Sequence, residues 1–354
     1  MATMRDVARL AGVSSATVSA YITNKGWVSP ALSKKVRKAM EALDYRPDHV
    51  ARSLRVGRTR VIGMIVPDIA NTYYMEIMRG VEEVATRAGY FVILCDSNED
   101  PVQEEASLSG LRSQRVDGVL LASAVSNAAY ARPTRRQFPI VFVDAIPAGI
   151  TEGVVTVDNF GAAYKATHYL IDLGHQRIAI VIGNLNRSVA VDRLEGFRAA
   201  MGEANLPVPE QYFQRGDSHM ESGYQAGLEL MRLATPPTAI FPCSNTRTLG
   251  LMRALTELKV PCPERVSVVS FDNADWATSF RPTVTCVAQP TYELGRRAAE
   301  LLLRRIEHPD EGIPDPNQPA IVSLEAELRV RESCGPPPAD SRPDSGSRKG
   351  ESEG

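Results

Sequence analysis

Polar groups of matched chemistry follow the ends of apolar runs along most of this chain. Asp68, Asn71, Tyr73 and Tyr74 come just after Val61–Val66, Asn245 comes after Ala239–Pro242, and Asp272 and Asn273 come after Val266–Phe271. Arg187 and Arg193 flank the start of a helix-patterned segment, Val189–Ala204. Carboxylates, amides, guanidinium groups and phenols that converge on one place hold a polyhydroxylated or otherwise polar small molecule through several hydrogen bonds at once. Each is equally at home as a cap or turn residue, because Asp and Asn favour such positions. A catalytic constellation does not emerge. His168 and His175 fall in helix and helix-end contexts with no serine or cysteine elbow nearby, so packing or capping suits them better. There is no G-x-x-x-x-G-K-[ST] and no G-x-G-x-x-G after the first strand, so nothing cradles a nucleotide. The expectation is binding without catalysis, with no cofactor and no metal site implied.

A second chemistry-bearing set lies in the first sixty residues, which hold twelve Lys/Arg against four acids. The net charge of +8 there leaves −10 on the remaining 294 residues, a balance that the overall −2 hides. A basic head on an acidic body is the footprint of a polyanion binder. Within that head, Thr3-Met4-Arg5-Asp6 reads as a capping box opening a helix whose apolar stripe is Val7, Leu10 and Ala11. Gly12 supplies a turn at positive φ. Ser14 then caps a second helix, Ser15 to about Thr23, with Val18 and Ile22 inward. Ser29 and Pro30 open a third helix. Two helices joined by so short a turn make a helix-turn-helix. A generic three-helix bundle is the alternative, and the coincidence of motif and charge favours binding to DNA.

The elements that position these groups are legible in outline. From Val61 onward, apolar strand-like runs (Val61–Val66, Tyr90–Cys95, Gly118–Leu121, Ile140–Val143, Val154–Val157, Arg177–Ile182, Ala239–Pro242, Val266–Phe271) alternate with amphipathic segments. The helical segments are Tyr73–Ala88, Phe160–Leu173, Val189–Ala204, Ser222–Leu233, Leu249–Leu258 and Tyr292–Ile306. Continuously apolar strands alternating with helices predict parallel sheets covered on both faces. About 270 residues exceed one comfortable core, so two doubly wound parallel sheets are expected, with a ligand cleft between the lobes. The predicted organisation is a headpiece over 1–46, a connector over 47–60, a two-lobed α/β body over 61–331 and a disordered tail over 332–354. The tail reading rests on its Pro, Ser, Gly and charge content. The five cysteines, Cys95, Cys243, Cys262, Cys286 and Cys334, are scattered as reduced thiols would be. No stretch has the roughly 18 uncharged apolar residues of a membrane span, and the start lacks a secretory pattern. A cytoplasmic, nucleoid-associated protein with no membrane partner is the expectation.

The stretch "MRDVARLAGVSSATVSAYITNKGWVSPALSKKVRKAMEALDYRP" resembles the headpiece of the lactose-repressor (LacI–GalR) family of transcription regulators, and "HVARSLRVGRTRVIGMIVPD" resembles that family's hinge. Similarity continues through "LIDLGHQRIAIVIG", "DRLEGFRAAM", "VPCPERVSVVSFDN" and "QPTYELGRRAAELLLRRI", covering residues 3 to about 331. The resemblance implies a periplasmic-binding-protein-like body and a homodimer on a pseudo-palindromic double-stranded operator. It implies a sequence-specific transcription regulator, with repression of a metabolic operon favoured, controlled by a small polar effector such as a sugar. The second helix would lie in the major groove, with Ser15, Ala16 and Ala20 at the base-reading positions and Thr17 and Ser19 suited to phosphates. Ala20 stands where an arginine is usual, and an arginine bidentate to guanine is worth about 1–3 kcal/mol of discrimination. Arg193, Asn245 and Asp272 fall on effector-contacting positions; Tyr73, Tyr74 and Arg187 join them as candidates, Arg187 hinting at an anionic or carbonyl-rich ligand. Ser218 replaces a frequent aromatic and Thr246 a frequent acid, so no particular sugar is indicated, and Trp276 offers an aromatic face, a rim residue or a core residue.

Val50–Arg55, between Pro47 and Gly57, has the length of one and a half helical turns, and so short a helix is marginal alone. By pattern alone it reads more readily as an exposed linker. The resemblance implies instead that two such helices pair in the minor groove and wedge Leu54 into the central base step, with Arg52 and Arg55 near phosphates or groove edges. Two rival readings differ in kind. A solute-binding protein predicts an export signal and no basic head, and a sugar-modifying enzyme predicts turnover of the bound ligand.

Overall fold

The computed structural model describes residues 2–23, 26–45, 58–124, 138–151, 153–308 and 321–339. The chain divides into two compact units, Met1–Arg60 and Val61–Gly354.

The first unit is built on α1 (Met4–Ala11), α2 (Ser15–Thr23) and α3 (Pro30–Ala42). Thr3 and Asp6 close the capping box reciprocally, and Gly12 ends α1 in the left-handed region at φ 64°. Ser14 Oγ accepts from the Thr17 amide at 3.1 Å at the start of α2, and Ser29 caps α3 with Pro30 in the first turn. The core is Val7, Ala8, Ala11, Val18, Val36 and Ala39. Leu10, placed in the apolar stripe by its spacing, is 56% exposed. The buried face of α1 runs instead along Val7, Ala8 and Ala11, whose two alanines let the helices approach closely.

The second unit holds two six-stranded sheets. One is ordered β11-β5-β4-β3-β1-β2, from β1 (Val61–Val66), β2 (Phe91–Asp96), β3 (Gly118–Leu121), β4 (Ile140–Val143), β5 (Val154–Val157) and β11 (Ile321–Leu324). The other is ordered β12-β10-β9-β8-β6-β7, from β6 (Ile178–Ile182), β7 (Phe213–Arg215), β8 (Ala239–Pro242), β9 (Ser267–Phe271), β10 (Thr285–Ala288) and β12 (Glu327–Arg329). Among the described residues every pairing is parallel except β10 with β12. The orders match place for place, so β4 and β9 occupy equivalent positions in the two lobes.

Each sheet is buried on both faces, which is why its strands read as continuous apolar runs. Ile62, Met64 and Val66 face a core shared with α4 (Thr72–Arg87) and α10 (Thr291–Glu307). Ile65 faces the opposite core with Leu108 and Leu111 of α5 (Pro101–Ser113). In the second lobe α6 (Asn159–Asp172) and α7 (Ser188–Glu203) cover one face, and α8 (Met220–Arg232) and α9 (Asn245–Glu257) cover the other. Helices α4 and α10 approach closely at Gly80 and Gly295. A Cβ on either glycine would run into the partner's backbone, at Tyr292 O or Ile77 O.

The tail prediction over 332–354 needs correction at its start. Ser333 is fully buried; its hydroxyl donates to Val268 O at 2.6 Å and accepts from the Thr285 amide at 2.8 Å. The Gly335 amide donates to Ser267 Oγ at 3.1 Å, and Gly335 O accepts from His175 Nε2 at 2.9 Å. Composition misleads here because a few specific contacts, the Ser333 hydroxyl, the Gly335 backbone and the packed Cys334 and buried Pro337, fix this stretch to the second lobe without an apolar run. The rest of that predicted tail, 340–354, lies outside the described residues, as do the hinge residues Arg52, Leu54 and Arg55.

Candidate ligand cleft and nucleic-acid interface

In the first unit, Ser15 and Ala16 of α2 are exposed and Thr17, Ser19 and Ala20 partly so, while Val18 is buried against the core. The predicted base-reading positions therefore share the accessible side of one helix. The Thr17 hydroxyl sits 2.9 Å from that of Ser14, so a phosphate would compete with an existing hydrogen bond. Arg5, Arg9, Lys34, Lys35, Arg37 and Lys38 are all exposed; Arg9 pairs with Asp6 and Arg37 lies 4.0 Å from Glu41, and Arg5, Lys34, Lys35 and Lys38 face solvent or a polyanion.

Between the two lobes of the second unit lies a cleft with about 50 Å³ of free space, lined by residues from both. Polar side chains of the two lobes hydrogen-bond to one another across it. Asp144, just after β4, and Asp272, just after β9, mark the equivalent points of the two sheets. Both adopt left-handed backbone, at φ 70° and 74°, which aspartate tolerates better than most residues.

Asp144 gathers the first lobe's groups. Tyr73 donates to its Oδ1 at 2.8 Å and Tyr74 to its Oδ2 at 3.2 Å. Arg187, from the start of α7 in the other lobe, donates to the same Oδ2 and to the Tyr74 hydroxyl, each at 2.9 Å. Glu99 lies 3.7 Å from the same guanidinium and takes a short hydrogen bond from Ser218 across the cleft. Burial, then the Asp144 and Asp272 charges, push the Tyr73 phenol well above its ordinary pKa. Burial opposes the charge on Arg187, but Tyr74, Asp144 and Glu99 outweigh it and hold the group protonated.

Asp272 gathers the second lobe's groups. Its Oδ1 accepts from Gln289 Nε2 at 2.5 Å and its Oδ2 from the Asn245 amide at 3.3 Å. Burial raises its pKa, against the opposing pull of Arg193 and these hydrogen bonds. Arg193 donates to Asn159 Oδ1 and Cys243 O, both at 2.8 Å, with its guanidinium carbon 3.6 Å from the centre of the Phe271 ring. Asn245 bridges the lobes through Nδ2 to Asn71 Oδ1 at 3.1 Å, while its own Oδ1 has no partner.

Five of the six predicted effector residues, Tyr73, Tyr74, Arg187, Arg193 and Asp272, line the cleft; Asn245 is buried at its edge. Asn273 is exposed and accepts from Arg331 and the Cys286 thiol, away from the cleft, and Trp276 is half-buried outside the lining. Sequence reasoning missed Asp144, Glu99, Arg247 and Gln289. Asp144 had a signal: "FVDA" after β4 parallels "SFDN" after β9. Among the described residues no cluster of His, Cys, Asp and Glu could hold a metal ion, and no helix is long and apolar enough to cross a membrane.

Comparison with known proteins places this geometry. Residues 3–48 match the profile of bacterial regulatory proteins of the lacI family, and residues 167–334 match that of periplasmic binding protein-like domains. An HTH-type transcriptional repressor PurR from Haemophilus influenzae (strain PittEE) is 36% identical over 335 residues, covering 94% of this chain and 98% of that protein. The ribose operon repressor of Escherichia coli (strain K12) is 36% identical over 311 residues, 87% of this chain and 94% of that one. Among solved structures, the complex of the transcriptional regulator CelR with cellobiose superposes with a TM-score of 0.69 at 31% identity, covering 94% of this chain and all of that one. The lac repressor dimer bound to operator and an anti-inducer reaches a TM-score of 0.83 at 24% identity, over 94% of this chain and 99% of that one, and bears on the fold alone. A helix-turn-helix at one end, two matched lobes over the rest and relatives of this similarity along nearly the whole length carry one conclusion: the chain belongs to the lacI family of bacterial regulatory proteins.

Proposed function

We propose that this chain is a homodimeric transcription repressor of a metabolic operon, whose headpieces bind a pseudo-palindromic operator and whose body responds to a small polar effector. The observation that carries the reading is that one chain joins a basic, correctly capped helix-turn-helix to a two-lobed body with buried polar groups facing one cleft. Residues 1–46 form the DNA-binding module, 47–60 connect it, and the body extends from 61 through the packed stretch ending at 339. Ser15, Ala16 and Ala20 read bases, with Thr17 and Ser19 on phosphates. By resemblance, Arg52, Leu54 and Arg55 engage the minor groove. Tyr73, Tyr74, Arg187, Arg193, Asn245 and Asp272, with Asp144, surround the effector. The chain turns nothing over and acts in the cytoplasm at the nucleoid.

The mechanism follows from the closed cleft. Contacts that cross it, such as the Ile146 amide to Ser188 Oγ at 2.8 Å and the Arg187–Asp144 pair, hold this arrangement of the lobes against an open one. An effector that binds one lobe arrangement better than the other shifts that equilibrium by its differential affinity, and with it the dimer's geometry on DNA. Selection of duplexes from a random pool tests the reading. The pool should converge on a two-fold sequence, and substituting Ala20 by arginine should change the preferred base at one position of each half-site. A pool that does not converge contradicts the proposal.

A further inference from the structure

We infer that the effector carries an acidic group, a carboxylate or a phosphate on a polyhydroxylated skeleton, and that Arg247 is the group that receives it. This rests on the cleft being the effector site. The cleft holds three guanidinium groups, and two are engaged. Arg187 has Asp144 at 2.9 Å and Glu99 at 3.7 Å, and Arg193 has Asn159, Cys243 O and the Phe271 ring. Arg247 is only 5% exposed, yet its one hydrogen bond from the side chain is Nη1 to Ser244 Oγ at 3.0 Å. Its Nε has no partner among the described residues, a trait it shares with Arg187, but unlike Arg187 it makes no ion pair with a described carboxylate. Burial lowers its pKa, and although Cys243 and Glu99 pull the other way, the Arg193 and Arg187 charges add to the fall. A charge in that position is costly unless something else completes it.

Two further features fit an anion there. Gly183, which follows β6, needs no left-handed φ, yet any side chain on it would run into the Arg247 guanidinium. The glycine keeps room for that group at the cleft wall. Beside it α7 begins without a side-chain capping hydrogen bond, and its first-turn residues Val189 and Ala190 line the cleft. A helix start favours negative charge, and this one lines the same cleft as the buried, incompletely paired guanidinium. Asp144, Asp272 and Gln289 offer oxygens for hydroxyl donors. A neutral sugar would offer Arg247 hydroxyl acceptors but no opposite charge, so the ion pair that the cleft lacks is with an acid.

The test uses the purified full-length chain, thermal melting and calorimetry, with matched probes: D-gluconate against D-glucose, D-ribose 5-phosphate against D-ribose, and inorganic phosphate alone. An acidic member should raise the melting temperature where its neutral counterpart does not, and whether gluconate or ribose 5-phosphate does so separates carboxylate from phosphate. Arg247→Met should weaken that binding at least about thirtyfold. The free Arg247→Met protein should melt at or above wild type, because the substitution removes an incompletely paired buried charge. Arg247→Lys, which keeps the charge and loses the planar fork, should fall between the two. A neutral sugar that binds as tightly as its acid, or acid binding indifferent to Arg247→Met, overturns the inference and leaves the effector site standing. If none of the acids stabilises the chain, the inference fails as well. The broader function then still stands or falls on duplex selection.

Discussion

Asp144 accepts hydrogen bonds from Tyr73, Tyr74 and Arg187 while almost entirely buried, so one carboxylate holds two aromatic side chains of its own lobe and a cation of the other. Substituting Asp144 by asparagine leaves the Arg187 charge with Glu99 alone, at 3.7 Å, and breaking such a buried pair from one side typically costs about 3–5 kcal/mol. Chemical denaturation of Asp144→Asn should show a loss of that order, and adding Arg187→Met should recover part of it; additive losses would mean that the two groups do not interact. His175 offers a second test at this scale. Its ring lies between Thr238 Oγ1 at 2.9 Å and Ser267 Oγ at 3.1 Å, and burial lowers its pKa below the ordinary 6.5. A depressed histidine favours the neutral form in the fold. Its contribution is therefore fully present above pH 6.5 and is lost as pH falls through the lowered value. The stability gap between wild type and His175→Gln should narrow from pH 7.5 to pH 5.5; a gap that widens contradicts the assignment.

Local signals specify elements best where they need no distant partner. Gly12 is such a place. It sits at φ 64° with nothing within 4 Å of the position a Cβ would take, so Gly12→Ala tests backbone strain alone. It should destabilise the headpiece by about 1–2 kcal/mol in thermal unfolding, and an unchanged melting point would mean that α1 does not end there. The capping box, the Ser14 and Ser29 caps and the apolar runs of β1, β3, β4, β5 and β8 are equally local, and their bounds are legible in the sequence to the residue. What escapes it depends on tertiary packing. Helix α5 turns a glutamate inward, where Glu104 takes hydrogen bonds from Ser123 and the Ala124 amide, so its apolar face looks broken. Strands β7 and β12 are three residues long and lie at sheet edges. Strands β10 and β11 are four-residue runs that the apolar pattern does not separate from their surroundings. In the cleft, Tyr73, Tyr74 and Asp272 were legible because they follow strands. Arg247 reads as an ordinary charged helix residue, and the room that Gly183 leaves for its guanidinium, far off in sequence, is not visible in its own helix.

At the scale of the molecule, charge changes sign where the compact units divide, with +8 before residue 61 and −10 after it. Affinity for any duplex should therefore fall linearly with salt on logarithmic axes, with a slope that reports several neutralised phosphates. A flat dependence would deny the basic unit its role. Salt alone does not distinguish a regulator from a nonspecific binder, since the phosphate term carries no sequence information. The most direct measurement is a competition titration by fluorescence anisotropy, with a duplex selected from a random pool set against its scrambled counterpart at about 150 mM salt. The account predicts a preference of at least about a thousandfold for the selected duplex. Equal affinity for the two sequences would contradict it.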